Sequence, residues 1–394
     1  MNMLEGASLR GTLVRAHVRP YDEKHDRNAR YYFEGLRRVM AAVGGRYEEV
    51  SMCRRPELLG VMRDVRRAYR LRPLYQRAEW LPATLDRVAR RIEGPIHTPS
   101  GLFHDDSAQC TVTFPGGREV KVCVQSDDTG TRFDPGILAW SDLCFKTNYW
   151  PSLAYPTKVV PSVNADPLVI PQIRTFRSHR ALPKAHDVCM VVRVWGGQDE
   201  IEGVEHNLRL IEAVSRARCS KFLYAYLVAG DVEASRRRLE RQGIPCGVHP
   251  LPSDDLWRAS AAARLNVVRL GMHYCIPWRV TGALAIGSAL VLDRAPFTRW
   301  PEPLTEDVHY VSLGTETSVD QPLATDAQYA AIPEKIEAWL AQPDLAARIG
   351  RNNADYYDRF AAPERVGEHT VRTAARHAGL LPSRSVAPAA SARG

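Results

Sequence analysis

The chain has no run of about 18 apolar residues, the length a membrane-spanning helix requires, so no span is expected. Its opening residues, Met1–Val14, lack a basic stretch followed by an apolar core, and a secretory leader is not expected. Cys-x-x-Cys does not occur, and the eight cysteines are scattered, which removes the usual basis for a zinc or redox site. Cys123, Cys144 and Cys189 stand in apolar runs, where a thiol behaves as a small hydrophobe. These absences point to a reducing compartment, the cytoplasm. Gly-x-Gly-x-x-Gly is missing from both halves, which argues against a dinucleotide-dependent oxidoreductase. No internal repeat is evident. No RNA-binding, zinc-finger or basic-zipper signature accompanies the formal charge of +8, so nucleic acid is not an expected partner.

What is present is a chain of 394 residues, 45% hydrophobic and 25% charged, ordinary globular values that suit two domains. A basic balance favours phosphorylated ligands or an anionic membrane surface. The densest basic region comprises Arg37, Arg38, Arg54, Arg55, Arg63, Arg66, Arg67, Arg70 and Arg72. It is either a solvated helix face or a patch for an anionic acceptor or membrane, and in the latter case peripheral contact with the inner membrane surface is expected.

In the first half, Gly11–Val18 and Glu119–Gln125 read as strands and Leu143–Phe145 as a short one. Helices are expected over Asp26–Val43, Pro56–Tyr69 and Thr84–Ile92, with Glu93–Gly117 irregular. Ala165–Ala185 is rich in Pro and Arg and reads as a connection. The second half alternates strands and helices: Val188–Val194, Gly203–Arg218, Lys221–Val228, Val232–Gln242, Gly247–Leu251 and Ser253–Ala263. Ser253, followed by Asp254 and Asp255, reads as a capped helix start. Leu265–Arg269 is a strand, Pro277–Ile286 a helix, Gly287 its C-cap, and Ala289–Asp293 a buried parallel strand before a Pro-rich loop. Ile332–Ala341, Asp344–Arg359 and Pro363–Ala378 close the chain as helices, and the tail from Leu381 is expected to be disordered. Alternation of this kind predicts an α/β fold of two Rossmann-like, doubly wound domains facing across a cleft. The expected divisions are 1–170, a linker at 171–186, 187–360, a C-terminal helix at 361–380 crossing back to the first domain, and a tail at 381–394. Ligands of such sheets bind beyond the carboxyl ends of the strands, so the stretch Arg264–Leu313 suggests a nucleotide-type ligand.

Three segments in order carry a family resemblance. Arg279-Val-Thr-Gly-Ala-Leu-Ala-Ile-Gly287 is similar to the Arg-x-x-Glu-Ala-Leu-Ala-x-Gly helix of GT-B glycosyltransferases of the CgeB-like and "group 1" kind. Ala289–Asp293, with the loop to Glu306-Asp-Val-His-Tyr310, resembles that family's acidic-aromatic return. Asn352–Phe360 running into Pro363–Val366 resembles its tail. Lys121–Asp128 and Asp142–Tyr149 are similar to strand and loop segments of its first domain. The resemblance spans roughly Val188–Ala378 and implies a nucleotide-sugar-binding second domain and an acceptor-side first domain. It also implies transfer of a sugar to a hydroxyl of a glycan, lipid-linked or metabolite acceptor. Many retaining members hold the donor ribose with a glutamate, the second of a pair; here Tyr274 and Gly282 occupy the two positions. The alternative implied by that departure is a non-catalytic GT-B-like protein that binds a glycan or partner.

Glycosyl transfer must neutralise a departing diphosphate, which Arg, Lys and helix N-termini can do without a metal. Asp-x-Asp, the metal-binding signature of the other large transferase fold, is absent, so neither metal nor cofactor is expected beyond the nucleotide-sugar substrate. Arg193, ahead of Gly196 and Gly197, and Arg279, a first-turn cation opposed to its helix dipole, are the diphosphate candidates. Thr281 and Gly282 could admit the donor, or simply pack the helix, and His309 could lie near the base or sugar. The acceptor hydroxyl needs a base. Asp127 and Asp128, just past a strand, are the first candidates, with a local turn as the plainer reading; His17 and His25 are the others. Lys146 is a candidate for phosphate or acceptor.

Overall fold

The computed structural model describes residues 9–19, 23–53, 55–70, 80–93, 97–102, 107–127, 129–165, 175–195, 201–228, 230–271, 275–315, 323–342 and 344–382. At 23–28, 63, 66–70, 80–83, 86, 90, 201 and 202 it describes the backbone alone. The chain forms two compact units: Met1–Val124, Asp134–Phe145 and Val366–Gly394 make the first, Gln125–Phe133 and Lys146–Arg365 the second. The tail expected from 381 onward lies, past Pro382, outside the described residues.

In chain order the first half runs β1 (Leu13–Val18), α1 (Glu23–Val43), β2 (Arg46–Ser51), α2 (Pro56–Arg70), α3 (Trp80–Glu93), β3 (Ser107–Thr113), β4 (Glu119–Gln125), α4 (Pro135–Trp140), β5 (Leu143–Lys146) and β6 (Val159–Pro161). The sheet order is β2-β1-β3-β4-β5-β6. β1 is parallel to β2, Leu13 opposite Arg46, and antiparallel to β3, Leu13 opposite Thr113, so this sheet is mixed. The periodic residues of α1 do what their spacing predicts: Tyr32, Phe33, Leu36, Val39 and Met40 are all buried. β2 and β3 fall where no strand is expected from the sequence. β2 is a half-exposed edge strand of charged residues, and β3 carries buried Ser107 and Gln109 where an apolar pattern would have marked it.

The second half runs β7 (His186–Val194), α5 (Ile201–Ser215), β8 (Lys221–Leu227), α6 (Val232–Glu240), β9 (Cys246–Gly247), α7 (Ser253–Ala261), β10 (Ala263–Val268), α8 (Trp278–Ala285), β11 (Leu290–Leu292), β12 (Tyr310–Ser312), α9 (Asp326–Leu340), α10 (Leu345–Tyr356) and α11 (Pro363–His377). Its sheet order is β12-β11-β10-β7-β8-β9, with every pairing parallel. Relabelled from its first strand, that is 6-5-4-1-2-3, the Rossmann order. The apolar runs face both ways, as a sheet covered on two sides requires. Val188, Met190, Val192 and Val194 meet Leu208 and Ile211 of α5 and Tyr329, Ile332 and Ile336 of α9. Cys189 and Val191 meet Ala259 of α7 on the other face. Each Val, Leu, Ile or Met side chain among these, fully buried, is worth about 1.5–3 kcal/mol.

Local signals account for several boundaries. Gly287 follows α8 at φ 65°, and its amide and that of Ser288 return to Leu284 and Ala283, a left-handed C-cap. Helix α7 does not use the expected Ser253 cap: Pro252 is the N-cap and makes no side-chain bond, while Asp254 and Asp255 do occupy the first turn. Helix α9 begins earlier than its expected start at Ile332, at a Thr325–Gln328 capping box, and carries Pro333 inside it. The carbonyl that Pro333 leaves without an amide, that of Tyr329, is approached by Arg216 Nη2 at 3.5 Å. α11 packs in the first unit, where Gly367 sits so close to Gly35 of α1 that a Cβ would lie 2.3 Å from its backbone.

The boundary expected at 170 differs from the one contacts define, because residues 125–133 and 146–165 group with the second unit. Hydrogen bonds explain it: Arg299 N donates to Tyr149 O (2.8 Å), the Asn164 side chain through Nδ2 to Ile276 O (2.9 Å), and Thr281 Oγ1 to Asn164 O.

Candidate functional site

In a sheet of this order the chain reverses direction between the first and fourth strands, here β7 and β10, and a crevice opens outside their carboxyl ends. The register shows it. β10 pairs with β7 only as far as Val267 opposite Met190, whereas β7 continues beside β8 to Val194 opposite Leu227. Arg279, from the first turn of α8, reaches this point and donates through Nη1 to Val191 O at 2.7 Å. It lines a small cavity with Val191, Trp257, Ser260, Asn266 and Val268. Pro277, whose side chain can cap nothing, is the N-cap of α8, so the amides of the first turn gain no side-chain acceptor from it. Two residues along β7, on the same face as Val191, Arg193 is exposed and lies over the rings of Trp195 (5.4 Å) and Tyr226 (6.0 Å). Such stacking steadies a guanidinium while leaving its donors outward.

The carboxyl end of β11 holds a buried network that sequence reading did not find. Asp293, fully buried, accepts from Leu270 N (2.8 Å) on Oδ1, and on Oδ2 faces His206 Nε2 (3.1 Å) and Arg294 Nε (3.0 Å). The other nitrogen of His206, Nδ1, is 2.6 Å from the Tyr329 hydroxyl. Thr315 bonds to Asp293 O through N (2.9 Å) and Oγ1 (2.6 Å). Burial would raise the Asp293 carboxyl, but Arg294 and His206 outweigh it and hold it well below the usual carboxylate range. Burial lowers His206, against the pull of Asp293. The sequence signal was an Asp ending an apolar strand; its partners, far away in the chain at 206 and 329, had none.

The remaining sequence candidates separate. Asp127 accepts from Lys146 Nζ (2.6 Å) on Oδ2 and from Thr129 N (3.0 Å) and Thr129 Oγ1 (3.2 Å) on Oδ1, the turn arrangement. Lys146 is fully buried and also donates to Arg132 O at 3.0 Å, so it clamps that turn and does not reach out to a phosphate or acceptor. Thr281 is buried and ties α8 to Asn164. Gly282 faces the indole of Trp257: a Cβ there would lie 2.2 Å from Cη2 and 2.6 Å from Cζ2. His309 precedes β12, at the amino end of the parallel sheet and so opposite the rim; its Nδ1 accepts from Thr305 N (2.9 Å), and its ring packs on Tyr356. His17 lies in β1 opposite Val50 and Gln109, its basicity lowered by burial and by Arg15. Asp128, Gly196, Gly197 and Tyr274 fall outside the described residues, as does the side chain of His25. Among the described residues no three His, Cys, Asp or Glu side chains are grouped to hold a metal ion, and no helix is long and apolar enough to cross a membrane.

No protein-family model matches the sequence, and no curated protein matches it. Several solved structures are similar in part. A glycosyltransferase from Rickettsia africae shares 10% identity at a TM-score of 0.38, over 60% of this chain and 64% of that one. TarM of S. aureus, solved with fondaparinux, α-GlcNAc-glycerol and UDP, shares 8% at 0.36, over 68% and 64%. The lipopolysaccharide outer core galactosyltransferase WaaB shares 10% at 0.36, over 88% and 98%. The chain therefore spans a little under two thirds of the first two. At these identities and scores they stand as likenesses only, and the α/β class rests on the strand order and register above.

Proposed function

We propose that the protein is a GT-B-type glycosyltransferase that moves a sugar from a nucleotide-sugar donor to a hydroxyl of a glycan, lipid-linked or metabolite acceptor, without a metal ion and in the cytoplasm. The observation that supports this best is the rim where β10 leaves β7. Arg193 is steadied there by two aromatic rings, Arg279 stands on the Val191 carbonyl, and α8 opens with Pro277. A departing diphosphate at this rim meets guanidinium groups and first-turn amides, the charge stabilisation that metal-free transfer needs. Of the candidate bases, Asp127 is engaged with Lys146 and Thr129, which leaves Asp128, His17 and His25. The test is a thermal-shift and calorimetric survey of UDP-, GDP-, dTDP- and CMP-sugars. Binding of one is expected; a folded protein that responds to none contradicts the reading.

A second reading, a non-catalytic GT-B-like protein that binds a glycan or partner, is favoured by one observation. Gly282, which stands where the resembled family has its ribose-holding glutamate, is filled over by Trp257. Donor hydrolysis without acceptor, or measured transfer, separates the two.

A further inference from the structure

The hydrogen atoms of the buried network can be assigned from its geometry. Asp293 is ionised and can only accept, so His206 Nε2 carries the hydrogen that points at Oδ2 (3.1 Å). His206 Nδ1 then accepts from the Tyr329 hydroxyl (2.6 Å). Arg294 Nη2, 3.3 Å from Nε2, is in contact there and not hydrogen-bonded, since both atoms would donate. The other oxygen of Asp293 holds the amide of Leu270, two residues beyond the end of β10. The network therefore holds the chain just past β10, whose last residues Asn266 and Val268 line the cavity beside Arg279.

We propose that His206 and Asp293 are positioning residues of the donor rim, fixing the backbone at Leu270 through a relay that begins at the Tyr329 hydroxyl. The proposal rests on the donor-site reading above. A second proton on His206 would enter at Nδ1, reverse the Tyr329 hydrogen bond so that the ring donates to the hydroxyl oxygen, and add charge beside Arg294 and Arg269. The groups that act on the ring are Arg269 after β10, Asp293 and Arg294 after β11, and Tyr329 from α9, while Glu205 and Arg209 from α5 act on Tyr329 in turn. Arg209 itself lies over the Tyr329 ring at 4.2 Å and is paired with Asp326. Donor affinity then falls as pH drops through the His206 titration, below the ordinary histidine value, because the added charge is repelled by Arg294 and Arg269 and rearranges the network that holds Leu270.

The experiment is calorimetry with UDP, GDP, dTDP and CMP as probes on the wild-type protein, His206→Gln and Tyr329→Phe, from about pH 8 to about pH 5. It is paired with long-range 1H–15N NMR of the histidines without nucleotide. The expected result is the Nε2–H tautomer for His206 and roughly tenfold weaker nucleotide binding in His206→Gln. An acid limb in affinity should be flattened in His206→Gln and moved to higher pH in Tyr329→Phe, which keeps the imidazole but removes its donor. If His206→Gln does not fold, Tyr329→Phe carries the test. A role confined to stability would lower unfolding midpoints without moving the pH profile. Binding with unmoved affinity and pH profile, or an Nδ1–H tautomer, overturns this inference alone. No binding by any nucleotide overturns the donor reading and this inference with it.

Discussion

Gly282→Ala offers a test whose sign, and not only its size, is fixed by packing. In the interior of a free helix the change would stabilise the protein by about 1 kcal/mol, because glycine carries the larger backbone entropy cost. Here the added Cβ would meet Trp257 Cη2, Cζ2 and Cζ3 at 2.2, 2.6 and 2.8 Å. Trp257 has little room to yield: it is 3% exposed, its ring packs on Phe176 at 5.1 Å, and the cavity it borders is small. Overpacking of this kind costs about 1–3 kcal/mol, so the net expectation is destabilisation of up to about 2 kcal/mol. Phenylalanine lacks those outer atoms, so in a Trp257→Phe background the same Gly282→Ala change should become neutral or stabilising. Urea unfolding of the four proteins, followed by circular dichroism, gives the coupling energy. A Gly282→Ala midpoint above wild type, or no change of sign in the Trp257→Phe background, would refute the packing argument. Gly282→Glu meets the same wall and should not create a ribose contact.

Lys146→Met should destabilise by about 3–5 kcal/mol, since it leaves Asp127 charged and half-buried without its partner, and Asp127→Asn/Lys146→Met should recover much of that loss in urea melts. Stability should also fall as the medium is acidified. Burial lowers His206, so the unfolded chain binds its proton first and stability is lost as pH drops from the ordinary histidine value toward the lowered one, by ~1.4 kcal/mol per pH unit for one proton. Asp293, held low, adds a second loss at more acid pH, present above the usual carboxylate value and lost as pH falls through the depressed one. Urea midpoints between neutral and mildly acid pH should slope downward in wild type and less in His206→Gln; equal slopes would show that His206 is not held neutral.

How far the sequence could be read depended on whether burial was written locally. Val188–Val194 and Ala289–Asp293 are apolar runs because both faces of their sheet are covered, and the alternation between them specified a doubly wound sheet without any long-range knowledge. Edge and polar strands carry no such mark: Arg46–Ser51 is charged because it lies at a border, and Ser107–Thr113 hides polar side chains. Pro333 disguised the first half of α9, since a proline usually opens a helix and here sits inside one. At the rim, Arg279 and Arg193 were legible as cations that a helix start and a strand end would aim at a ligand. The packing of Trp257 over Gly282 and the Tyr329–His206–Asp293 relay were not, because each joins residues that only the fold brings together.

The most direct test of the donor-rim reading is the dissociation constant of whichever nucleotide diphosphate or nucleotide sugar binds, measured by calorimetry for wild type and Arg193→Ala. The structure predicts saturable binding that weakens roughly tenfold or more when the stacked guanidinium is removed, with the unfolding midpoint unchanged because Arg193 is exposed. Binding of equal strength in Arg193→Ala, or none in wild type, would contradict it.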